Sequence, residues 1–242
     1  MGRSTAVLEP AELRLPKPAP TLESGDHLTR AEFERRYAIM PEDMKAELIE
    51  GVVYVSSPVR IDVHGEQTLR VSTWIGVYAT YTPGVQGGQN STVRLDQDNE
   101  PQPDLSLRIR SKSGGQSRTV DGYVEGAPEF VAEVAASTVS MDLHEKMRAY
   151  RRNGVREYVV WRVENGELDY FVWREGRYER LSPDDAGIYR SEVFPGLWLD
   201  APALLRGDMA RVLQVLQEGL ATPEHQQFVE RLGQHGSSPD AQ

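Results

Sequence analysis

The run Pro128-Glu129-Phe130-Val131-Ala132-Glu133-Val134-Ala135-Ala136 constrains this chain more than any other segment, because it is the most apolar stretch and carries an acid at its centre. Its length and its lack of polar alternation predict a central β-strand covered on both faces. A carboxylate placed there loses its water and needs a cation, a set of hydrogen-bond donors or a metal ion beside it. The fold must therefore deliver a partner to Glu133.

Local patterns outline the rest of that fold. Thr29 and Glu32 form a capping box ahead of Phe33 and Tyr37, which predicts a short helix. Two β-prone runs between Ala46 and Val55 meet at Glu50-Gly51, as in a hairpin or a bulged strand. From Ile61 to Tyr81, Leu69, Trp74, Val77, Tyr78 and Tyr81 fall near helical spacing, and Thr82-Pro83-Gly84 ends the helix. Leu105, Leu107 and Ile109 alternate with Asp104, Ser106 and Arg108, which places Asp104 on the polar face of a strand. Residues 111–126, rich in Gly and Ser, read as a mobile loop. Ser137, Thr138 and Ser140 offer N-caps for a helix to Arg152, closed by Asn153-Gly154, with Leu143, Met147 and Tyr150 facing the core. Asn165-Gly166 predicts a type I′ hairpin, and Arg174-Glu175-Gly176 turns into a third strand, giving an antiparallel meander. A further helix spans Ala203–Leu220. The fold class is α/β (α+β), with a mixed β-sheet flanked by helices and a C-terminal antiparallel meander. Three parts are expected: a Pro-rich flexible arm over 1–25, one domain over 26–221 and a polar tail over 222–242.

The chemistry is read from Glu47, Asp104, Glu133 and Lys146, three acids on predicted strands and a lysine on the helix that follows the central strand. Converging carboxylates are hard oxygen ligands suited to Mg²⁺ or Mn²⁺, which keep waters and bridge to phosphate oxygens. Lys146, between Leu143 and Tyr150, flanks the buried face of its helix, from which its ammonium can orient a water and stabilise charge on a phosphoryl group. Phosphodiester hydrolysis is the implied reaction. The chain holds no cysteine, so disulfides, thiolate zinc sites, iron–sulfur clusters and cysteine nucleophiles are excluded.

These residues also carry a family resemblance. The runs Glu47-Leu48-Ile49-Glu50-Gly51, Pro103-Asp104-Leu105 and Glu133-Val134-Ala135-Ala136-Ser137-Thr138, with Lys146, Tyr150, Gly154-Val155 and Glu157-Tyr158, resemble the Uma2 (DUF820) family of the PD-(D/E)XK restriction-endonuclease-like superfamily over roughly residues 27–200. The resemblance implies a restriction-endonuclease-like core and a divalent-metal-dependent DNA endonuclease. Asp104 then matches the acid of the PD half-motif, Glu133 the acid of the second half-motif, and Glu47 an earlier acid completing the metal set. The superfamily lysine two residues past the second acid falls at Ala135, and Lys146 takes the place that Uma2-like sequences use on the next helix. His64 sits where such sequences often hold a histidine. The resemblance also implies DNA as partner and a homodimer.

Each residue has a plainer reading. Asp104 suits a turn exit beside Pro103, Glu133 a buried pair with an arginine, Lys146 a surface lysine, and His64 a capping or hydrogen-bonded structural role. Arg148, Arg151, Arg152 and Arg156 form a basic cluster that serves either as a phosphate track, with Arg148 and Arg152 as accessory residues, or as a solvated helix end. Trp161, Trp173, Tyr158 and Tyr170 read as cross-strand packing. The 27 Lys+Arg against 37 Asp+Glu leave a net charge of −10, which argues against a nucleic-acid coat protein. That balance and Ala135 keep a second function open, a catalytically inactive nuclease-fold binding or assembly module. With no stretch of ~18 apolar residues and no signal-like N-terminus, the expectation is a cytoplasmic protein without membrane contact.

Overall fold

A computed structural model describes residues 20–41, 43–56 and 61–236. Helix α1 (Arg30–Tyr37), capped by Thr29, leads to a hairpin of β1 (Ala46–Ile49) and β2 (Val52–Val55). Glu50 and Gly51 join these strands with φ of 52° and 76°, the left-handed pair a two-residue hairpin turn requires. One π-helical turn (Ile61–Gly65) runs into α2 (Glu66–Tyr81), followed by β3 (Val85–Gln89), β4 (Val93–Arg94) and β5 (Leu105–Ile109). After a 3₁₀ turn come β6 (Arg118–Val120), β7 (Tyr123–Glu125) and β8 (Phe130–Ala135). Helix α3 (Val139–Met141), a second π turn (Asp142–Lys146) and α4 (Met147–Asn153) form one interrupted helix that ends at Gly154 in the left-handed region. The meander β9 (Glu157–Arg162), β10 (Glu167–Arg174) and β11 (Arg177–Arg180) precedes a hairpin of β12 (Ile188–Arg190) and β13 (Trp198–Asp200). Helices α5 (Ala201–Arg206), α6 (Met209–Leu220) and α7 (Pro223–Gly236) complete the described chain.

The main sheet has six strands in the order β11-β10-β9-β8-β5-β3. Only β8 and β9 pair in parallel, so the sheet is mixed as expected. All six β8 residues are buried, with the strand held between β5 and β9. Trp74, Ile75 and Tyr78 of α2, Val212 and Leu216 of α6, and Phe228 and Leu232 of α7 cover the sheet face that carries Phe130, Ala132 and Val134. Tyr150 and the edge of α4 cover the opposite face, against Val131, Ala135, Tyr158 and Val160. Phe33 and the β1–β2 hairpin make a small separate core. Among the described residues, no helix is long and apolar enough to cross a membrane.

Several expectations are corrected. Residues 223–236 are not a polar tail but α7, which anchors itself in the core through Phe228 and Leu232, one helical turn apart. Residues 20–25 are not free: Leu22 is buried and the Gly25 N–H donates to the Val53 carbonyl at 2.9 Å; residues 1–19 lie outside the described chain. The expected loop at 111–126 contains the β6–β7 hairpin, whose turn is Asp121-Gly122 with φ of 51° and 85°. Asn165-Gly166 does not form a two-residue turn, because Arg162 pairs with Glu167 across four loop residues and only Gly166 has positive φ. The two-residue turn of the meander is Glu175-Gly176 instead. Leu69 and Tyr81 point outward from α2.

Candidate active site

Asp104 stands one residue beyond the last paired position of β5 and β8, Leu105 opposite Ala132. There two acids continue the ladder with their side chains. Asp104 Oδ2 accepts the Val134 N–H at 2.8 Å, and Glu133 Oε2 accepts the Asp104 N–H at 3.2 Å. Glu47 arrives from β1, because Leu48 and Glu100 exchange backbone bonds at 2.8 and 3.2 Å. The Gln102 N–H then donates to Glu47 Oε1 at 2.6 Å.

Lys146 closes the group from the π turn. Its Nζ lies 3.0 Å from Glu47 Oε1, 3.2 Å from Glu133 Oε1 and 3.8 Å from Asp142 Oδ1. The Tyr150 hydroxyl also donates to Glu133 Oε1, at 2.9 Å. Asp142, Lys146 and Tyr150 follow one another at intervals of four, which keeps them on one side of the interrupted helix. The Thr138 hydroxyl holds Asp142 Oδ2 at 2.5 Å. Single π turns recur at functional sites; the first one, Ile61–Gly65, carries His64, whose Nε2 lies 3.3 Å from Asp104 Oδ1.

Glu47, Asp104, Glu133 and Lys146 therefore meet, and His64 joins them. Arg148 and Arg152 do not. Arg148 pairs with Glu145 at 3.3 Å, while Arg152 bridges Glu50 at 2.8 Å and Asp96 at 3.2 Å, so its charge serves the α4 surface rather than a phosphate track. Glu133 has no arginine partner among the described residues, and its cation is Lys146. Tyr158, Tyr170 and Trp161 are packing residues, all buried. Asp142 and Tyr150 also touch the group, a site role that the sequence reading gave to neither; their spacing of four from Lys146 was the available signal.

Charge is unbalanced here. Four acids, Glu47, Asp104, Glu133 and Asp142, face one lysine and one histidine, so full ionisation leaves −4 + 2 = −2. Burial pushes the Glu133 carboxyl well above the usual range; Lys146 opposes this, and Asp142, Asp104 and Glu47 add to it. Burial likewise raises Asp142 to about 6. Lys146 is held well above its ordinary value, because Glu133, Glu47 and Asp142 outweigh its burial. The ammonium therefore stays charged. The Asp104 hydrogen bond raises His64 against the effect of burial. The Thr68 hydroxyl lies 2.8 Å from the His64 carbonyl and 2.9 Å from Nδ1. Since it has one hydrogen to give, donation to the carbonyl leaves Nδ1–H donating to Thr68, and an Nε2 facing Asp104 then donates only as imidazolium.

The donor chemistry fits a divalent ion: buried carboxylate oxygens with excess negative charge suit a hard cation. Among the described residues, no three His, Asp or Glu side chains are already grouped as a metal shell. Mg²⁺ does not need one, since it commonly uses one or two carboxylates, waters and substrate phosphates.

A model of the Uma2 family, described as "Putative restriction endonuclease", matches residues 30–202. Among solved structures, the chain is similar to a crystal structure of "a putative nuclease belonging to DUF820 from Anabaena variabilis ATCC 29413", with a TM-score of 0.52 and 16% identity over 71% of this chain and 96% of that one. That likeness establishes a common fold. No curated protein matches. The family model spans most of the chain, including all four acids, Lys146 and His64, and the chain belongs to the Uma2 family.

Proposed function

We propose that this protein is a divalent-metal-dependent DNA endonuclease that hydrolyses phosphodiester bonds at the Glu133 site. The observation that carries the reading is the Lys146 ammonium 3.2 Å from Glu133, in a site where the residue two positions past Glu133 is Ala135. An amine reaches the second acid from the next helix. Asp104 and Glu133 are the residues that would hold Mg²⁺ or Mn²⁺, with Glu47 beside them; a bound ion supplies Lewis-acid polarisation of a phosphoryl oxygen and offsets the excess carboxylate charge. Lys146 would donate hydrogen bonds to the attacking water or to the non-bridging oxygens as charge builds. Glu47 and Asp142 keep that amine charged and oriented, and Tyr150 fixes the Glu133 carboxyl. His64, 3.3 Å from Asp104, would hold a proton beside the site.

Incubating purified protein with supercoiled plasmid, linear duplex and single-stranded DNA in Mg²⁺ or Mn²⁺ tests the reading. Nicking or cleavage that disappears in Asp104→Ala, Glu133→Ala and Lys146→Ala supports it. No cleavage of any substrate, together with no Mn²⁺ binding by calorimetry, sinks it. The alternative, a catalytically silent binding module, draws on one observation: Lys146 already satisfies Glu47 and Glu133. That module predicts no heat of Mn²⁺ binding and acids needed only for stability.

A further inference from the structure

Alternate residues of β5 continue the line that Asp104 begins. Asp104, Ser106, Arg108 and Arg110 fall on one face of the strand, by its period of two. Arg108 is only 6% exposed. Its Nε and Nη2 donate to Gln86 Oε1 at 3.0 and 2.6 Å, and Nη2 donates to Thr119 Oγ1 at 2.5 Å. All of these acceptors are neutral. Nη1 is buried with no hydrogen-bond partner. The nearby acid, Glu129, spends its two oxygens on the N–H groups of Ile109 at 2.8 Å and Gln116 at 3.0 Å.

This guanidinium lines a cavity of about 360 Å³ together with Arg110, Ser111, Lys112, Arg118 and Thr119. Four cations and two hydroxyls line it, and no acid does. Arg118 has a surface pair with Glu125 at 3.3 Å, while Arg110 and Lys112 have no ion pair among the described residues. Burial and the charge of Arg110 push Arg108 below its ordinary value, against the opposing attraction of Glu129. A forked buried donor with one nitrogen unspent, ringed by exposed cations, suits a tetrahedral oxyanion.

We propose that this cavity is a phosphate subsite that holds a backbone phosphate of the nucleic acid strand reaching the Glu133 site. The strand assignment rests on the endonuclease reading; the phosphate chemistry does not. Arg108 lies four residues from Asp104 along β5, about 13 Å at ~3.3 Å per residue. At that separation the subsite engages a neighbouring phosphate of the strand rather than the one at the cleaved bond. The β6–β7 hairpin carries Arg118 and Thr119, so it forms one wall of this subsite.

Two measurements on the full chain test this, both comparing wild type with Arg110→Ala/Lys112→Ala, whose residues are exposed. Inorganic phosphate should raise the thermal unfolding midpoint of wild type above a chloride control of equal ionic strength, and the double variant should lose that shift. Equal shifts in both proteins, or none in wild type, overturn the cavity as a phosphate site whether or not the protein cuts DNA. In Ca²⁺, fluorescence anisotropy of a labelled duplex across a salt series should show the double variant bound about tenfold more weakly, with a slope of log K on log salt shallower by about 1. A double variant with unchanged affinity and slope overturns the strand assignment. A wild type that binds no duplex overturns it together with the endonuclease reading, and the phosphate measurement still decides the cavity.

Discussion

Glu133 and Lys146 form an ion pair at 3.2 Å between two side chains that are almost fully buried, at 4% and 5% exposure. The pair is lopsided, because the amine also serves Glu47 and Asp142. Lys146→Met should therefore cost about 3–5 kcal/mol in urea denaturation, since it strands several buried carboxylates. Glu133→Gln should cost less, as the ammonium keeps two other acids. Equal losses, or a Lys146→Met loss below about 1 kcal/mol, would show that the cluster does not depend on this cation.

Tyr150→Phe removes the hydroxyl that donates to Glu133 Oε1 at 2.9 Å while keeping the ring in its buried place. The expected loss is about 1–3 kcal/mol, the cost of removing one donor from a buried acceptor. A melt superimposable on wild type would mean that Lys146 alone satisfies Glu133 Oε1.

His64 should titrate above 6.5 in a two-dimensional NMR pH series, and Asp104→Asn should bring it back down. Its folded value is raised, so its stabilising contribution is complete below about 6.5 and is lost as pH rises through the folded value. A wild-type His64 that titrates at or below 6.5 contradicts the contact with Asp104.

Glu100 is 3% exposed, and its Oε2 has no hydrogen-bond donor. Burial, then hydrogen bonding and repulsion from Glu34, push it from 4.5 up to about 8. The folded state thus holds a proton that the unfolded chain releases near 4.5, and stability falls as pH rises from there through about 8. Glu100→Gln should abolish this part of the decline, so its melting temperature relative to wild type should climb between pH 5 and pH 8. A constant difference across that range rejects a folded-state proton on Glu100.

Deleting residues 222–242 should lower stability by several kcal/mol, since burying Phe228 and Leu232 contributes about 1.5–3 kcal/mol each. A truncated protein that melts with wild type would restore the polar-tail expectation.

Local chemistry was legible wherever neighbours in the chain decide the outcome. Glu50-Gly51 turns because both residues adopt left-handed backbone, and Gly154 ends α4 for the same reason. The same logic was available at Asp121-Gly122, where a Gly- and Ser-rich setting concealed a hairpin. Asn165-Gly166 shows the limit: the register of β9 with β10, set by burial on both faces, lengthened the turn to four residues. In α7 a polar composition hid the Phe228 and Leu232 pair, which only the space beside α2 and α6 makes valuable.

The sequence by itself determined that Glu133 would be an acid inside an apolar strand and that Glu47, Asp104 and Lys146 were its candidate companions. It said nothing of how Glu157, an equally buried acid on β9, is accommodated. Tertiary structure decides it: Glu157 is satisfied by Tyr170, Ser191 and the N–H groups of Glu192 and Val193, whereas Glu133 shares an ammonium with other carboxylates. The reason is one of range. Turns, caps and strand character follow from sterics and hydrogen bonds between close neighbours, while the approach of residues 47, 104, 133 and 146 depends on strand order, which is fixed only when the whole sheet and its covering helices pack together.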